Sequence, residues 1–212
     1  INDIIKELRC KDSCIACLYT GWGKTFAAIY IASQLGYKTL VVVNKESLLE
    51  QWKEQIIKFT GITPGIIQGS KLDTSQNITI GMIQSISMKE YNSDTFSTFT
   101  FTIYDETHHY CSKVFSNAFY KIGSKFNLGL TATLKRADKL DYTLEWFLGK
   151  PVANVHLLVI KPEIHIYNFV INSDDVIKYL PNGKINCPAS ISSIVLNKER
   201  DSLIFDVIKK CY

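Results

Sequence analysis

The chain has 212 residues, 46% of them hydrophobic, which is enough for one α/β domain with a full core and part of a second unit, and excludes a disordered chain or a disulfide miniprotein. The net charge of +4 does not by itself indicate a nucleic-acid-binding or membrane-surface protein, so any basic footprint must be local. No apolar run approaches the roughly 18 residues of a membrane span, which excludes an integral membrane protein of the helical kind.

Short apolar strands alternate with segments of helical period as far as about residue 151, and this predicts an α/β fold with a mainly parallel sheet flanked by helices. The predicted strands, in chain order, are 15–19, 38–43, 66–68, 78–83, 99–104 and 128–130. The predicted helices are 24–35, a second helix that starts at Ser47, and 112–122. The strand 99–104 alternates Phe and Thr, yet we expect it to be buried like its neighbours.

The run 13–18, which is typical of a buried strand, contains two of the six cysteines, Cys14 and Cys17, at CxxC spacing. Such a pair can be a redox site or half of a zinc site. No second Cys or Cys/His pair follows at zinc spacing, and a chain of this length with a good core favours reduced thiols over a disulfide framework. We therefore predict ordinary core cysteines.

A glycine-containing loop, Thr20-Gly21-Trp22-Gly23-Lys24-Thr25, joins the first strand to the first helix. Glycines let backbone N–H groups surround phosphate oxygens, a lysine reaches the β and γ phosphates, and a threonine hydroxyl binds Mg²⁺. The full pattern has a small residue where this chain has Leu18. The strand before the loop and the helix after it nevertheless supply the context of a phosphate-binding loop.

Two signals mark helix ends. Gly36 follows the first helix as a C-terminal stop. Ser47 and Glu50 have capping-box spacing, which predicts that the second helix begins at this serine. The apolar residues of that helix predict one buried face, formed by Leu48, Leu49, Trp52, Ile56 and Phe59.

The strand 99–104 leads into Asp105-Glu106-Thr107-His108. An acidic pair at a strand end is most often a solvated turn. Together with a phosphate-binding loop, however, the aspartate can complete a Mg²⁺ shell and the glutamate can act as general base on the attacking water.

Thr131-Ala132-Thr133 follows the strand 128–130, and taken alone this triplet would only indicate a turn. In sequence order, the phosphate-binding loop, Asp-Glu-x-His and Thr-Ala-Thr resemble motifs I, II and III of the superfamily 2 helicases and translocases, of the DExH-box type. Segments 41–52 and 80–85 resemble further motifs of the family. Segment 130–139, with 146–149, looks closest to the XPB/UvsW-like branch and its relatives in large DNA viruses.

The resemblance covers about residues 13–151 and implies a RecA-like P-loop NTPase domain that hydrolyses ATP with Mg²⁺. It implies that ATP is bound by the loop residues Thr20, Gly21, Trp22, Gly23, Lys24 and Thr25. Thr25 and Asp105 would bind the metal, and Lys24, Asp105 and Glu106 would be catalytic. Trp22 is unusual in such a loop, and either stacking near the nucleotide or packing on the rim fits the sequence.

The resemblance also implies residues that couple the nucleotide to nucleic acid, namely His108, Thr131, Ala132 and Thr133. Without the motif, His108 would be interpreted as an ordinary polar core residue. Contacts to the nucleic-acid backbone would come from Asn44, Lys45, Gln84 and Ser85. Such contacts carry little base information, so binding should depend on salt and be largely indifferent to sequence.

After about residue 151 the pattern changes. Segments 155–160 and 163–171 look extended, and 172–193 has little periodicity and contains Pro181 and Pro188, which predicts a loop or linker. Residues 198–210 predict a helix with apolar positions at helical spacing. By the resemblance, we expect a first RecA-like domain at 1–151, and a connector with the first helix of a truncated second RecA-like domain at 152–212.

The sequence begins at Ile1 without a secretion signal, so we expect an intracellular piece of a longer protein, in the nucleus or cytoplasm, or in a viral factory if it is viral. The partners implied are nucleic acid, DNA more than RNA, and the missing second domain of the same chain. Without that domain the chain should be nearly inactive. Two alternatives stay open: a P-loop nucleotide kinase or other phosphotransferase, and a nonhydrolysing nucleic-acid-binding module.

Overall fold

The computed structural model describes residues 1–112, 114–132, 142–155, 165–170 and 176–211. The chain divides into two compact units, Ile1–Leu158 and Val159–Tyr212. None of the helices within these described ranges is long and apolar enough to cross a membrane.

One sheet of eight strands organises the first unit, in the order β4-β3-β5-β2-β6-β7-β1-β8. Its strands are β1 (Ser13–Leu18), β2 (Thr39–Val43), β3 (Gly65–Gln68), β4 (Lys71–Leu72), β5 (Ile78–Met82), β6 (Phe101–Tyr104), β7 (Phe126–Thr131) and β8 (Pro151–Val155). All pairings are parallel except the one between β3 and β4, which is antiparallel. The carboxyl ends of the parallel strands therefore meet at one edge of the sheet.

Helices cover the faces of this sheet. The described helices of the first unit are α1 (Asn2–Lys11), α2 (Lys24–Leu35), α3 (Glu46–Thr60), α4 (Ile83–Met88), the 3₁₀ helix Thr107–Cys111, α5 (Asn117–Ile122) and α6 (Tyr142–Leu148). Two core clusters result, and β2 contributes to both because successive side chains of a strand point to opposite faces. The predicted mainly parallel α/β sheet is confirmed.

The strands that matter for function are buried along their whole length. Every residue of β2 and of β6 is buried, although phenylalanine and threonine alternate from residue 99 to residue 102. Burial on both faces is typical of central strands in a parallel sheet. The prediction that the strand before Asp105 is buried is therefore confirmed.

The start of α3 differs from the prediction. The helix begins at Glu46, and its N-cap is Lys45, whose carbonyl accepts a hydrogen bond from the N–H of Leu49 at 3.1 Å. Ser47 thus lies inside the first turn, and no side chain caps the helix. The carboxylate of Glu46 in this turn interacts favourably with the helix dipole, so a capping serine is not required.

The buried face of α3 is also narrower than predicted. Leu49, Trp52 and Ile56 are buried, whereas Leu48 is only partly buried. Phe59 is 44% exposed and packs edge-to-face on Phe26 of α2, with ring centroids 5.0 Å apart. The aromatic ring at the end of the helix therefore stabilises the contact between two helices at the surface.

Two predicted elements near the acidic pair have different bounds. Within 112–122, helix is found at Asn117–Ile122, and the 3₁₀ helix Thr107–Cys111 precedes it. Strand β7 is longer than the predicted 128–130, because it pairs with β1 on one side and β6 on the other. Strand β7 is thus hydrogen-bonded on both edges, like the other interior strands of the sheet.

The two cysteines of the CxxC pair are buried in β1. They are three positions apart in a strand, so their side chains point to opposite faces of the sheet and cannot share a metal. Burial raises the pKa of the Cys14 thiol to about 12, and burial likewise raises the pKa of Cys17. The described part of the chain contains no cluster of metal-binding side chains.

In the second unit, the described helices are α7 (Cys187–Val195) and α8 (Lys198–Cys211). The prediction of a loop over 172–193 is wrong where it overlaps α7. Pro188 lies in the first turn of this helix, where no N–H partner is needed, and the side chain of Asn186 caps it by accepting a hydrogen bond from the N–H of Ala189. The helix predicted at 198–210 is confirmed by α8.

Residues 165–170 contain no strand, although we predicted extended structure through 163–171. In the predicted segment 155–160, Val155 is the last residue of β8. Residues 156–164 and 171–175 lie outside the described part of the chain.

Candidate nucleotide-binding site

The phosphate-binding loop connects β1 to α2. Gly21 and Gly23 have φ values of 88° and 92°, which lie in the left-handed region that favours glycine. Gly23 is the N-cap of α2, and neither a side-chain cap nor an acidic residue occupies the first turn of that helix. The first backbone N–H groups of α2 and the positive end of its helix dipole are therefore available to an anion.

The side chains of the loop differ in exposure. Thr20 is exposed, and Lys24 and Thr25 are half-buried. Trp22 is half-buried too, and it packs against the core cluster that includes Leu18 and Ile29. Trp22 therefore packs against the core, and its stacking near a nucleotide stays a prediction.

Asp105 follows β6 and is only 6% exposed. Its N–H donates to the carbonyl of Val42 at 3.0 Å, and its own carbonyl accepts from the hydroxyl of Tyr110 at 2.7 Å. Its Oδ1 accepts from the N–H of Glu106 at 3.0 Å, and its Oδ2 accepts from Nε1 of Trp52 at 2.8 Å. The backbone and carboxylate of Asp105 are thus both held in place.

Burial is the main influence on the pKa of Asp105 and raises it, while the hydrogen bond from Trp52 acts in the opposite direction by stabilising the charged form. Trp52 and Tyr110 were not identified as site residues from the sequence. The position of the tryptophan in an apolar stripe predicted packing alone. A buried indole also needs an acceptor for its N–H, and that requirement is the signal that could have indicated a polar partner.

Glu106 joins the acidic pair to the phosphate-binding loop. Its carboxylate lies 3.0 Å from Nζ of Lys24 and 3.4 Å from Nδ1 of His108. Its backbone has φ 49° and ψ 52°, the left-handed conformation that residues other than glycine seldom adopt. Strain of this kind is characteristic of functional sites, where the surrounding structure holds a side chain in one position.

The next two residues connect the acidic pair to β7. The hydroxyl of Thr107 is buried and lies 3.0 Å from the carbonyl of Tyr104 and 2.8 Å from that of Leu130. Nδ1 of His108 lies 3.1 Å from Oγ1 of Thr131. The structure therefore brings together the acidic pair, His108 and the first residue of the Thr-Ala-Thr triplet.

The carbonyl of Ala132 accepts a weak hydrogen bond from Sγ of Cys17 at 3.5 Å, which connects the end of β7 to β1. The remaining residue of the predicted coupling group, Thr133, lies outside the described residues, as do the other residues up to 139 of the segment 130–139 that contributed to the resemblance.

Replacing Thr107 with valine should lower the free energy of unfolding by about 1 to 3 kcal/mol, because two buried carbonyls lose the hydroxyl while the shape of the side chain is kept. Thr79 supplies a matched control. It is also fully buried, but its hydroxyl has no hydrogen-bond partner among the residues that the structure describes. Thr79→Val should be neutral or stabilising in chemical denaturation. Equal losses in both variants would contradict the assigned role of the Thr107 hydroxyl.

The four predicted nucleic-acid contacts lie together at the ends of β2 and β5. Lys45 is exposed, and Nε2 of Gln84 donates to the carbonyl of Asn44 at 2.8 Å. Ser85 is buried, and its hydroxyl accepts a hydrogen bond from the N–H of Gly69 at 2.9 Å. Of these side chains, Lys45 is the one that faces solvent with a charge suited to phosphate.

Oxygen donors for a magnesium ion are present. Mg²⁺ prefers oxygen ligands and keeps several waters, so one carboxylate and one hydroxyl of the protein are enough when phosphate oxygens supply the rest. Asp105 provides a fixed, buried carboxylate and Thr25 a half-buried hydroxyl at the start of α2. The donor set fits magnesium rather than zinc, which favours nitrogen and sulfur ligands.

Comparison with known proteins identifies the family. Residues 1–136 match the family described as "Type III restriction enzyme, res subunit". The chain is 31% identical, over its whole length, to an Acanthamoeba polyphaga mimivirus protein named as an ATP-dependent RNA helicase (L396), of which it covers 42%. Over 58% of its length it is 38% identical to the DNA 3'-5' translocase XPB2 of Sulfurisphaera tokodaii, of which it covers 28%.

The structure of T4 UvsW superimposes with a TM-score of 0.56 at 20% identity, covering 73% of this chain and 33% of that one. This likeness confirms the predicted RecA-like fold. The chain spans less than half the length of the two relatives named above. It belongs to the Type III restriction enzyme res subunit family, within the superfamily 2 helicases and translocases.

Proposed function

We propose that this chain is the first motor domain of an ATP-dependent helicase or translocase, and that it binds MgATP between the loop 20–25 and the acidic pair. The observation that carries the proposal is the 3.0 Å ion pair between Lys24 and Glu106. It joins two sequence motifs, 82 positions apart, at the carboxyl edge of the sheet, which is where ligands bind in open α/β folds.

Backbone N–H groups of the loop would hold the phosphates, with Lys24 reaching the β and γ oxygens. Thr25 and Asp105 would hold magnesium, which neutralises charge that develops on the phosphates during transfer. Glu106 would orient and deprotonate the attacking water as general base. For this to occur, a carboxylate oxygen of Glu106 must be turned towards the water, because an oxygen that accepts a hydrogen bond from Lys24 is a weaker base.

His108 would report the state of the nucleotide to β7, since Nδ1 of its ring lies close to both the carboxylate of Glu106 and the hydroxyl of Thr131. Ala132 and Thr133 would continue this coupling. Asn44, Lys45, Gln84 and Ser85 would form the nucleic-acid surface, in which Lys45 supplies the charge and the other three shape the backbone around it.

The remaining assignments follow from the family. We propose residues 1–151 as the ATP-binding domain and 152–212 as a connector with the first helix of a second RecA-like domain. Strand β8, which pairs with β1, extends the sheet of the first domain as far as Val155. The partners would be nucleic acid, DNA more than RNA, and that second domain in cis. The protein would act inside the cell, in the nucleus or cytoplasm, or in a viral factory if it is viral.

ATP hydrolysis tests the proposal. The 212-residue chain should bind ATP weakly and hydrolyse it slowly, because an arginine supplied by the second domain contributes roughly 10³ to 10⁵ in rate in P-loop NTPases. The longer parent chain should show hydrolysis stimulated by nucleic acid, more by DNA than by RNA of equal length. Strong nucleic-acid-stimulated hydrolysis by the short chain alone, or none by the parent, would contradict the proposal.

A further inference from the structure

We propose that Trp52 is a positioning residue for the magnesium-binding carboxylate of Asp105, and that it acts through the hydrogen bond from its indole N–H. The inference deepens the proposed function and rests on it, because it concerns the same nucleotide site. Trp52 lies on α3, outside the motifs that bind nucleotide, and its ring is 1% exposed.

The geometry is that of a direct, desolvated hydrogen bond. Nε1 of Trp52 lies 2.8 Å from Oδ2 of Asp105, and both residues are buried. A hydrogen bond from a neutral donor to a carboxylate is stronger than one between neutral groups, and burial strengthens it further because water does not compete.

The other contacts of Asp105 do not fix the carboxylate in the same way. Its N–H and carbonyl bind Val42 and Tyr110, which position the backbone. Its Oδ1 accepts the N–H of Glu106, the adjacent residue in the chain. The bond from Trp52 to Oδ2 is therefore the contact that sets the carboxylate relative to a different element of the fold. Each carboxylate oxygen has two acceptor sites, so each retains one for the metal or its water.

An indole is suited to this task for two reasons. It is only a donor, so it cannot exchange roles with the carboxylate as a hydroxyl or an amide could. Its ring is held by core packing beside Leu49 and Ile56, the other buried residues of α3. Partners of this kind hold a metal ligand without touching the metal. Removing one typically lowers the affinity for the metal by about 10- to 100-fold.

The test substitutes Trp52→Phe and measures the Mg²⁺ concentration needed for half-maximal binding of a fluorescent ATP analogue. We expect that concentration to rise roughly 10- to 100-fold, with analogue binding in EDTA unchanged. Ile56→Val is the matched control, since it loosens packing on the same buried face of α3 without removing a donor. An unchanged Mg²⁺ requirement in Trp52→Phe, or an equal rise in both variants, would overturn the inference.

A second measurement uses the unsubstituted chain and does not require the Trp52 variant to fold. The three tryptophans should give three indole N–H resonances in a ¹⁵N spectrum, and Trp22→Phe and Trp146→Phe identify the third by elimination. At saturating ADP, adding Mg²⁺ should shift the Trp52 resonance. If the Trp52 resonance does not shift with Mg²⁺ although nucleotide binds, this inference alone is overturned. If no nucleotide binds, the proposed function is overturned and the inference with it.

Discussion

Lys24→Met is expected to weaken binding of MgATP about 10- to 100-fold, because the side chain keeps its length but loses charge-assisted hydrogen bonds to the phosphates, each worth about 1.5 to 3 kcal/mol. In the longer parent chain, hydrolysis should fall further, since a positive charge at the transferring phosphate stabilises the transition state more than the bound substrate. Equilibrium binding of a fluorescent ATP analogue and steady-state hydrolysis separate the two effects.

Lys53→Met is the matched control for this variant. Lys53 also forms an ion pair, with Glu50 at 3.3 Å on the surface of α3, and it lies outside the loop 20–25. The control removes the same charge and an ion pair of similar length, so nucleotide binding should not change. If Lys24→Met bound nucleotide as tightly as Lys53→Met, the loop would not be the phosphate site.

Much of this architecture could be predicted because buried parallel strands and amphipathic helices leave strong periodic signals. Helix α2 lies where its apolar spacing and Gly36 placed it. The failures occurred where a local pattern competed with longer-range packing. Ser47 and Glu50 matched a capping box, but the helix extends one residue further, and Pro188 was interpreted as a breaker although it starts α7. A proline at a helix start and one in a loop look alike until the following turn is considered.

The candidate site could likewise be predicted in part. Residues within one motif could be proposed from sequence, because their spacing encodes a loop or a strand end. The contacts between motifs could not, since Trp52 and Asp105 are 53 positions apart and their meeting depends on how α3 packs against β2 and β5. The left-handed backbone of Glu106 was equally invisible, because nothing in the side-chain pattern reports a positive φ. Tertiary packing supplies what local propensity omits.

Glu106→Gln should separate binding from hydrolysis. The amide keeps the size of the side chain but cannot act as a base, so hydrolysis in the parent chain should fall by about 10² to 10⁴, the range of general-base catalysis. Nucleotide binding should tighten several-fold, since the ion pair between the carboxylate and Lys24, 3.0 Å long, competes with the phosphates for the ammonium group. Removing a carboxylate beside the triphosphate also removes repulsion between like charges.

Glu50→Gln provides the control, because it neutralises the surface partner of Lys53 and should change neither quantity. Two results would contradict the role of Glu106 in different ways. Unchanged turnover would show that Glu106 is not the general base, and another group would then have to deprotonate the attacking water. Weaker nucleotide binding would instead show that the ion pair holds Lys24 in the position that phosphate requires, so that the carboxylate assists binding and the pair need not open before the substrate enters.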